Sequence, residues 1–410
     1  MSISKHSNRL AKSCNAKTDA DLRIMSRGTW RCAYEALQSE LISLIESAAD
    51  SPEGWSRHPL WDDACFGELA RRIFQFQRRF NPYYSAYCGV SGGQSPARWQ
   101  DVPAVWTRAF KRAEVAVFPK RAAQTWFQTS GTTEGEPGFH YFASLALYEA
   151  SVAATFPRFL LPDLPRIRML ILTPEPVEAP HSSLIHMLGV VKERFGTENS
   201  GFFMRAGELD QQGLIRALEE STHSREPVLL MGTAFAFAYF LEYARCNGLR
   251  FRLPPRSRIM ETGGFKGRVR EIPRSEFYQL LQDTLGIPQS AIVNEYSMTE
   301  LSSQFYDRSL LEFLKKRTAP SEPRIKSGPP WARVRIVNPL TGQEVGIGER
   351  GLIRIYDLAN LGSVLSIQTE DVGIRHSDGF EIVGRVGSAP PRGCSLEAEP
   401  LLNSVGEKTL

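Results

Sequence analysis

From position 129 the chain reads Thr129-Ser130-Gly131-Thr132-Thr133-Glu134-Gly135-Glu136-Pro137. Four hydroxyl side chains fall within five residues, with two glycines beside them. Glycine lets the backbone turn sharply and approach a ligand. Successive N–H groups and hydroxyls can then donate to phosphate oxygens. The chemistry that suits this loop is polyphosphate binding; a plain polar hairpin turn is the alternative reading. The flanks, Trp126-Phe127 and Phe139-His140-Tyr141-Phe142, are aromatic and β-prone, which predicts strand–loop–strand. A Walker loop is excluded, because no Gly-Lys-Ser/Thr tripeptide occurs.

Three further groups carry chemistry that fits a nucleotide. Asn294–Tyr306 follows an expected strand and places Tyr296, Thr299 and Glu300 within five residues. Ligands of open α/β sheets bind at the carboxyl ends of strands. There Tyr296 can stack on a purine, Thr299 can reach a phosphate and Glu300 can hold Mg²⁺. Gly263 and Gly264, after Glu261-Thr262, would let backbone approach a base edge at a second strand end. Asp371 and Arg385 lie fourteen residues apart. A carboxylate accepts from both hydroxyls of a ribose, and a guanidinium adds a donor.

The elements that must position these residues are readable from periodicity. Leu37, Leu41, Leu44 and Ile45 predict a helix within Trp30–Ala49, and Phe66, Leu69, Ile73, Phe76 and Phe80 one within Trp61–Phe80. Short β-prone runs at Met169–Leu172, Val228–Met231, Ile259–Glu261 and Ala291–Val293 alternate with helical stretches at Leu184–Arg194, Gly213–Glu220 and Ala234–Arg245. That alternation predicts an α/β fold with a largely parallel sheet. After Pro330 the texture is all-β, with runs at Arg333–Val337, Gly351–Tyr356, Val364–Gln368 and Gly379–Val383.

Composition narrows the function classes. The chain has 410 residues, 42% apolar and 23% charged, with a formal charge of +4. That is ordinary for a globular protein and too weak a charge for nucleic-acid binding. No apolar run approaches the roughly 18–20 residues of a membrane span, and the start of the chain lacks an apolar signal-peptide centre. Six scattered cysteines without metal-ligand spacing favour reduced thiols and a cytoplasmic location.

In this order the motifs resemble the adenylate-forming superfamily, most closely its acyl-protein synthetase (LuxE-type) group. The resemblance runs from Val102-Pro103 and Phe110-Lys111 to Leu402. It rests on the Thr129 loop, Pro180-His181-Ser182-Ser183-Leu184, Met260-Glu261-Thr262-Gly263-Gly264 and Tyr296–Tyr306. Asp357-Leu358-Ala359-Asn360, Thr369–Asp371 and Pro391-Arg392-Gly393-Cys394-Ser395-Leu396 complete it. It implies a large adenylate-forming domain of layered sheets and helices with a small β-rich subdomain. The expected division is 1–28 as a loosely held tail, 29–330 as the α/β core, 331–385 as the β-rich subdomain and 386–410 as a short tail.

The resemblance also implies roles. Thr129, Ser130, Gly131, Thr132 and Thr133 would hold the β- and γ-phosphates of ATP, Gly263 and Gly264 would line adenine, and Tyr296 would stack on it. Thr299 would contact the α-phosphate, Glu300 the Mg²⁺, and Asp371 and Arg385 the ribose side. The chain departs from the pattern at three places: Glu134 precedes Gly135, no Lys closes the loop, and Ser297 replaces the usual Gly. Lys266 and Arg268 are candidates for the absent cation.

Standard acyl-CoA ligases continue beyond the Gly-Arg hinge into a small domain with a catalytic Lys. Here 25 residues follow Arg385, with Lys408 the one lysine among them, so that domain is expected to be missing or reduced to a tail. The tail carries Cys394, where the resemblance implies an acyl-accepting thiol; Arg392 favours its thiolate and Glu397 opposes it. An inert thiol is the plain alternative. The expected activity is ATP-dependent conversion of a fatty or other apolar carboxylic acid to acyl-AMP. Transfer to Cys394 as a thioester would follow, for delivery to an acyl reductase or acyl carrier. The alternatives are an acyl- or aryl-CoA ligase or an amide-forming enzyme lacking its own C-terminal domain, and a non-enzymatic nucleotide-binding subunit.

Overall fold

A computed structural model describes residues 29–49, 55, 61–90, 95–129, 136–263, 273–316 and 323–386. The chain opens with helices α1 (Trp30–Ala49), α2 (Asp63–Phe80) and α3 (Pro82–Val90). Helix α2 starts where the side chain of Asp62 accepts from the Cys65 N–H at 2.7 Å, satisfying one of the free donors of the first turn. It ends on Arg78 and Arg79, which suit the negative end of the helix. Its inner face buries Phe66, Leu69, Ala70, Ile73 and Phe74. Gln77 shares that face, is fully buried, and donates to the carbonyls of Asn360 and Leu361 at 2.9 and 3.2 Å. It also accepts from Leu365 N at 2.9 Å, so α2 fixes the 360–365 turn.

Strands β1 (Val105–Trp106), β2 (Thr125–Gln128) and β3 (Phe139–Phe142) follow, then α4 (Ala146–Leu160). As the sequence predicts, β2 and β3 pair in antiparallel fashion, Gln128 opposite Phe139. The chain then alternates through β4 (Arg168–Leu172), α5 (Ser183–Phe195), β5 (Gly201–Phe202), β6 (Met204–Arg205), β7 (Glu208–Leu209) and α6 (Gln211–Ser224). It continues through β8 (Val228–Thr233), α7 (Ala234–Cys246), β9 (Arg258–Thr262), α8 (Arg274–Leu285) and β10 (Ile292–Tyr296). β4, β8, β9 and β10 form a parallel run, paired β4–β8, β8–β9 and β9–β10. Apart from Thr233, Thr262 and Tyr296 at their ends, their residues are buried, the pattern of strands covered on both faces.

After β10 the direction alternates. β11 (Phe305–Asp307), α9 (Ser309–Lys316), β12 (Lys326–Ser327), β13 (Ala332–Val337), β14 (Arg350–Asp357), β15 (Ser366–His376) and β16 (Gly379–Arg385) complete the described chain. The sheet order is β13-β14-β15-β16-β12-β11-β10-β9-β8-β4-β5, with β1 added in parallel to β15. The β-rich part after Pro330 therefore continues the α/β sheet through the β12–β16 pair.

Some elements differ from expectation. The strand expected at Val364–Gln368 runs from Ser366 to His376, because polar Thr369-Glu370-Asp371 stays in the ladder with its side chains engaged. Helices α3, α4, α8 and α9 were not expected; Pro157 sits inside α4, where proline normally argues against helix.

Candidate active site

The site lies where β10 ends and the chain turns back through Met298–Gln304 into β11. Two networks hold that turn. From one side, Asp357 accepts from Ser302 N at 2.9 Å, Ser303 Oγ at 2.8 Å and Ala359 N at 3.0 Å. Asn360 donates to the Glu300 carbonyl at 2.7 Å and accepts from Ser302 Oγ at 2.7 Å. All of these groups are buried. Asp357 and Asn360 thus shape the turn, and α2 holds this region through Gln77. Burial pushes the Asp357 carboxyl up to about 6, against the pull of the three donors.

From the other side, the β2–β3 pair reaches the same turn. Thr299 Oγ1 donates to the Gln128 carbonyl at 3.4 Å. The Thr299 carbonyl lies 2.8 Å from His140 Nδ1. A carbonyl can only accept, so Nδ1 carries the proton. His140 is buried, and burial pushes its pKa down to about 4, keeping the ring neutral.

Thr129 closes the β2–β3 ladder: its N–H donates to the Gly138 carbonyl at 2.9 Å and its Oγ1 accepts from Gly138 N at 2.8 Å. The hydroxyl proton of Thr129 is left for a ligand. Ser130, Gly131, Thr132, Thr133, Gly264 and Cys394 lie outside the described residues, as do Lys266 and Arg268.

Tyr296 ends β10, packed edge-on by Phe380 at 6.0 Å and tilted against Phe305 at 6.3 Å. Its hydroxyl donates to Asp371 Oδ2 at 2.8 Å. Asp371 sits opposite Arg385 in the β15–β16 ladder, with Arg385 Nε 3.7 Å from its Oδ1. Burial raises the Asp371 carboxyl, while Arg385 and Tyr296 pull it down. Gly263 follows β9 with φ +75°, a conformation that favours glycine, and a Cβ there would meet nothing.

Glu300 is buried between these groups, and burial pushes its carboxyl up to about 7. Arg385 and Lys111 favour its charged form and Asp371 opposes it. Tyr296, Thr299, Glu300, Asp371 and Arg385 thus belong to one connected cluster at the end of β10, next to Thr129. Hydrogen bonds from Thr299 to the β2–β3 pair and from Tyr296 to β15 tie the two sides together.

Sequence reasoning left several residues of this region without a role. Lys111 marked only the edge of a resemblance. Arg108 and Glu370 form an ion pair at 3.2 Å, and Glu370 also meets Arg385 at 3.3 Å. Glu295 is buried with one oxygen unpartnered among the described residues, and its other oxygen accepts from Thr262 Oγ1. Glu261 accepts from Tyr278 Oη and Asn294 Nδ2, each at 2.7 Å, beneath the Gly263 turn. Single residues on short turns and mid-strand acids carry no periodic signal; only the unusual polarity of Glu261 and Glu295 in apolar strands marks them. His181 packs rather than facing the cleft: its ring stacks on Trp126 at 4.1 Å and its carbonyl accepts from Gln128 N at 2.8 Å. In the aromatic stretch of α7, Phe237 and Phe240 are plain core and Tyr239 is exposed.

A family model described as "Acyl-protein synthetase, LuxE" matches residues 70–402. A long-chain-fatty-acid–luciferin-component ligase of Aliivibrio fischeri is 24% identical over 344 residues, 80% of this chain and 86% of that protein. The protein of the same name in Vibrio harveyi is 21% identical over 359 residues, 84% of this chain and 90% of that one. Among solved structures, 2-hydroxyisobutyryl-CoA ligase with 2-HIB-AMP and CoA superposes with a TM-score of 0.59 at 15% identity, over 82% of this chain and 70% of that one. An open conformation of the same ligase gives 0.55 at 14%, over 80% and 71%. At such identity these structures establish the fold, an adenylate-forming one.

Proposed function

This chain belongs to the acyl-protein synthetase (LuxE) family and is a ligase of adenylate-forming fold; we propose that it activates a long-chain carboxylic acid with ATP. The acyl group then passes to Cys394 as a thioester, for delivery to an acyl reductase or carrier. The observation that carries this reading is the joining of these groups through one turn. Thr299 and Glu300, beside the strands that bear the Thr129 loop, are bound into the same turn as Tyr296, which holds Asp371.

In the first step a carboxylate oxygen of the acid bonds to the α-phosphorus of ATP. The α–β bridging P–O bond breaks, giving acyl-AMP and pyrophosphate. Such a transfer is mostly positioning and stabilisation of charge. Thr129 and the residues 130–133 would donate to the β- and γ-phosphates and Thr299 to the α-phosphate. Asp371, with Arg385 beside it, would accept from the ribose hydroxyls. Gly263 and Gly264 would line adenine, and Tyr296 would bound it.

The residues present fit one bound Mg²⁺. Among the described residues no three His, Cys, Asp or Glu gather as a complete metal site. Glu300 offers a buried carboxylate beside Asp371 and Arg385, and Mg²⁺ commonly takes one or two carboxylates together with substrate phosphates. Bound there, Mg²⁺ supplies neutralisation of phosphate charge. In the second step the Cys394 thiolate attacks the acyl carbon, the C–S bond forms, and AMP leaves with the anhydride oxygen. We place the activation chemistry in the 29–330 core with ribose contacts from 331–385, and the acyl carrier in 386–410.

Incubation with ¹⁴C-labelled fatty acid and ATP tests the sequence of steps. Hydroxylamine-labile label is expected on the wild type and absent from Cys394→Ser. Equal labelling of both proteins removes Cys394 as the carrier. Turnover that requires CoA and leaves no acyl-protein indicates the CoA-ligase reading instead.

A further inference from the structure

We propose that Lys111 supplies the cation that faces the β- and γ-phosphates of the nucleotide, taking the place of the lysine that the Thr129–Pro137 sequence lacks. The inference rests on the nucleotide reading above and adds to it a phosphate-binding residue from a separate part of the chain.

Lys111 ends the short turn Thr107–Lys111, which follows β1. That turn is pinned from two directions. β1 pairs with β15, Val105 opposite Ile367, two strand positions before Thr369. Arg108, within the turn, bonds to Glu370, which also holds Arg385. The turn is thereby docked against the ribose-side residues.

On its other side the turn presses on the base of the Thr129 loop. A Cβ built on Gly138 would lie 3.2 Å from Lys111 Cγ and 3.2 Å from the Phe110 carbonyl. Gly138 is the residue that pairs both ways with Thr129. The absence of a side chain there lets the lysine stem cross directly beneath the loop's exit. Lys111 is half-exposed and has no ion-pair partner among the described residues. A flexible ammonium whose stem crosses the glycine-cleared base of the loop suits the charged phosphate end of a nucleotide. Lysine is a compact point charge with three donors and commonly binds phosphate in this way.

The test compares nucleotides that differ only in that end. Titration of the full-length protein with ATP and with AMP, both with Mg²⁺, should show Lys111→Ala weakening ATP by about 10- to 100-fold, the worth of one charge-assisted hydrogen bond. AMP affinity should change less than about twofold by the same arithmetic. Lys111→Arg should restore most of the ATP affinity, and Gly138→Val, which displaces the stem, should mimic the alanine variant. Equal losses for ATP and AMP, or none for either, overturn the assignment. A wild type that binds neither nucleotide overturns the underlying reading, and this inference with it.

Discussion

The phenolic hydroxyl of Tyr296 donates to Asp371 across 2.8 Å, joining the last parallel strand to the longest strand of the antiparallel half. Tyr296 is partly buried and Asp371 mostly so, and the bond fixes where the carboxylate points. Removing the hydroxyl leaves Asp371 with Arg385 alone. Tyr296→Phe is therefore expected to raise the KM for ATP by about 3- to 10-fold with little change in kcat. Steady-state kinetics at saturating acid measure this; a fall in kcat at constant KM would place Tyr296 in the chemistry instead.

Glu300 should matter more for rate than for binding. Glu300→Gln keeps the shape but cannot carry charge, and adenylation is expected to fall by about 100-fold or more. The same residue gives a stability signature without ligand. Its carboxyl ionises near 4.5 when unfolded and near 7 when folded, so the folded state holds an extra proton between those values. Stability is full below about 4.5 and declines as pH rises through about 7, by on the order of 3 kcal/mol. Urea titrations across that range should show the decline in wild type and a flatter profile in Glu300→Gln.

His140 predicts the opposite slope. Its pKa falls from 6.5 to about 4 on burial, so the unfolded chain binds the extra proton in that window. Stability is full above about 6.5 and is lost as pH falls through about 4, again on the order of 3 kcal/mol. His140→Gln keeps a donor for the Thr299 carbonyl and should remove the acid lability while retaining activity. His140→Phe removes the donor and should reduce the adenylation rate by displacing Thr299. Single variants are needed because Glu300 and His140 act with opposite sign between pH 4.5 and 6.5.

Asp357 is expected to be the most costly of the turn residues to remove. Asp357→Ala strands two buried N–H groups and the Ser303 hydroxyl, a loss of about 3 kcal/mol or more. Chemical denaturation measures it; a loss under about 1 kcal/mol would mean the turn is held by other groups.

The parallel strands, the β2–β3 pair and the Tyr296–Glu300 segment were legible because their signals are local. Continuous apolar runs mark doubly covered strands, and aromatic β-prone runs mark the β2–β3 pair. Lys111 and the Arg108–Glu370 pair were not. They reach the cleft through pairing of β1 with β15, a contact between positions more than 250 residues apart, and no periodicity encodes such pairing. The acids Glu370 and Asp371 read as loop because nothing in the sequence shows that Arg108, Arg385 and Tyr296 meet them. The boundary expected at 330 marks a change from α/β to β texture, while the sheet itself runs on through β12 and β16. Texture records the connections between strands, and hydrogen bonding across them is not written in it.

Thr299, Glu300, Tyr296 and Asp371 are proposed to form one site where ATP and a carboxylic acid react. Isotope exchange between labelled pyrophosphate and ATP reads that reaction without any acyl acceptor. Exchange in the wild type is expected to require a long-chain carboxylic acid, to persist in Cys394→Ser and to be lost in Glu300→Gln. Exchange that is absent from the wild type, or undiminished in Glu300→Gln, would contradict it.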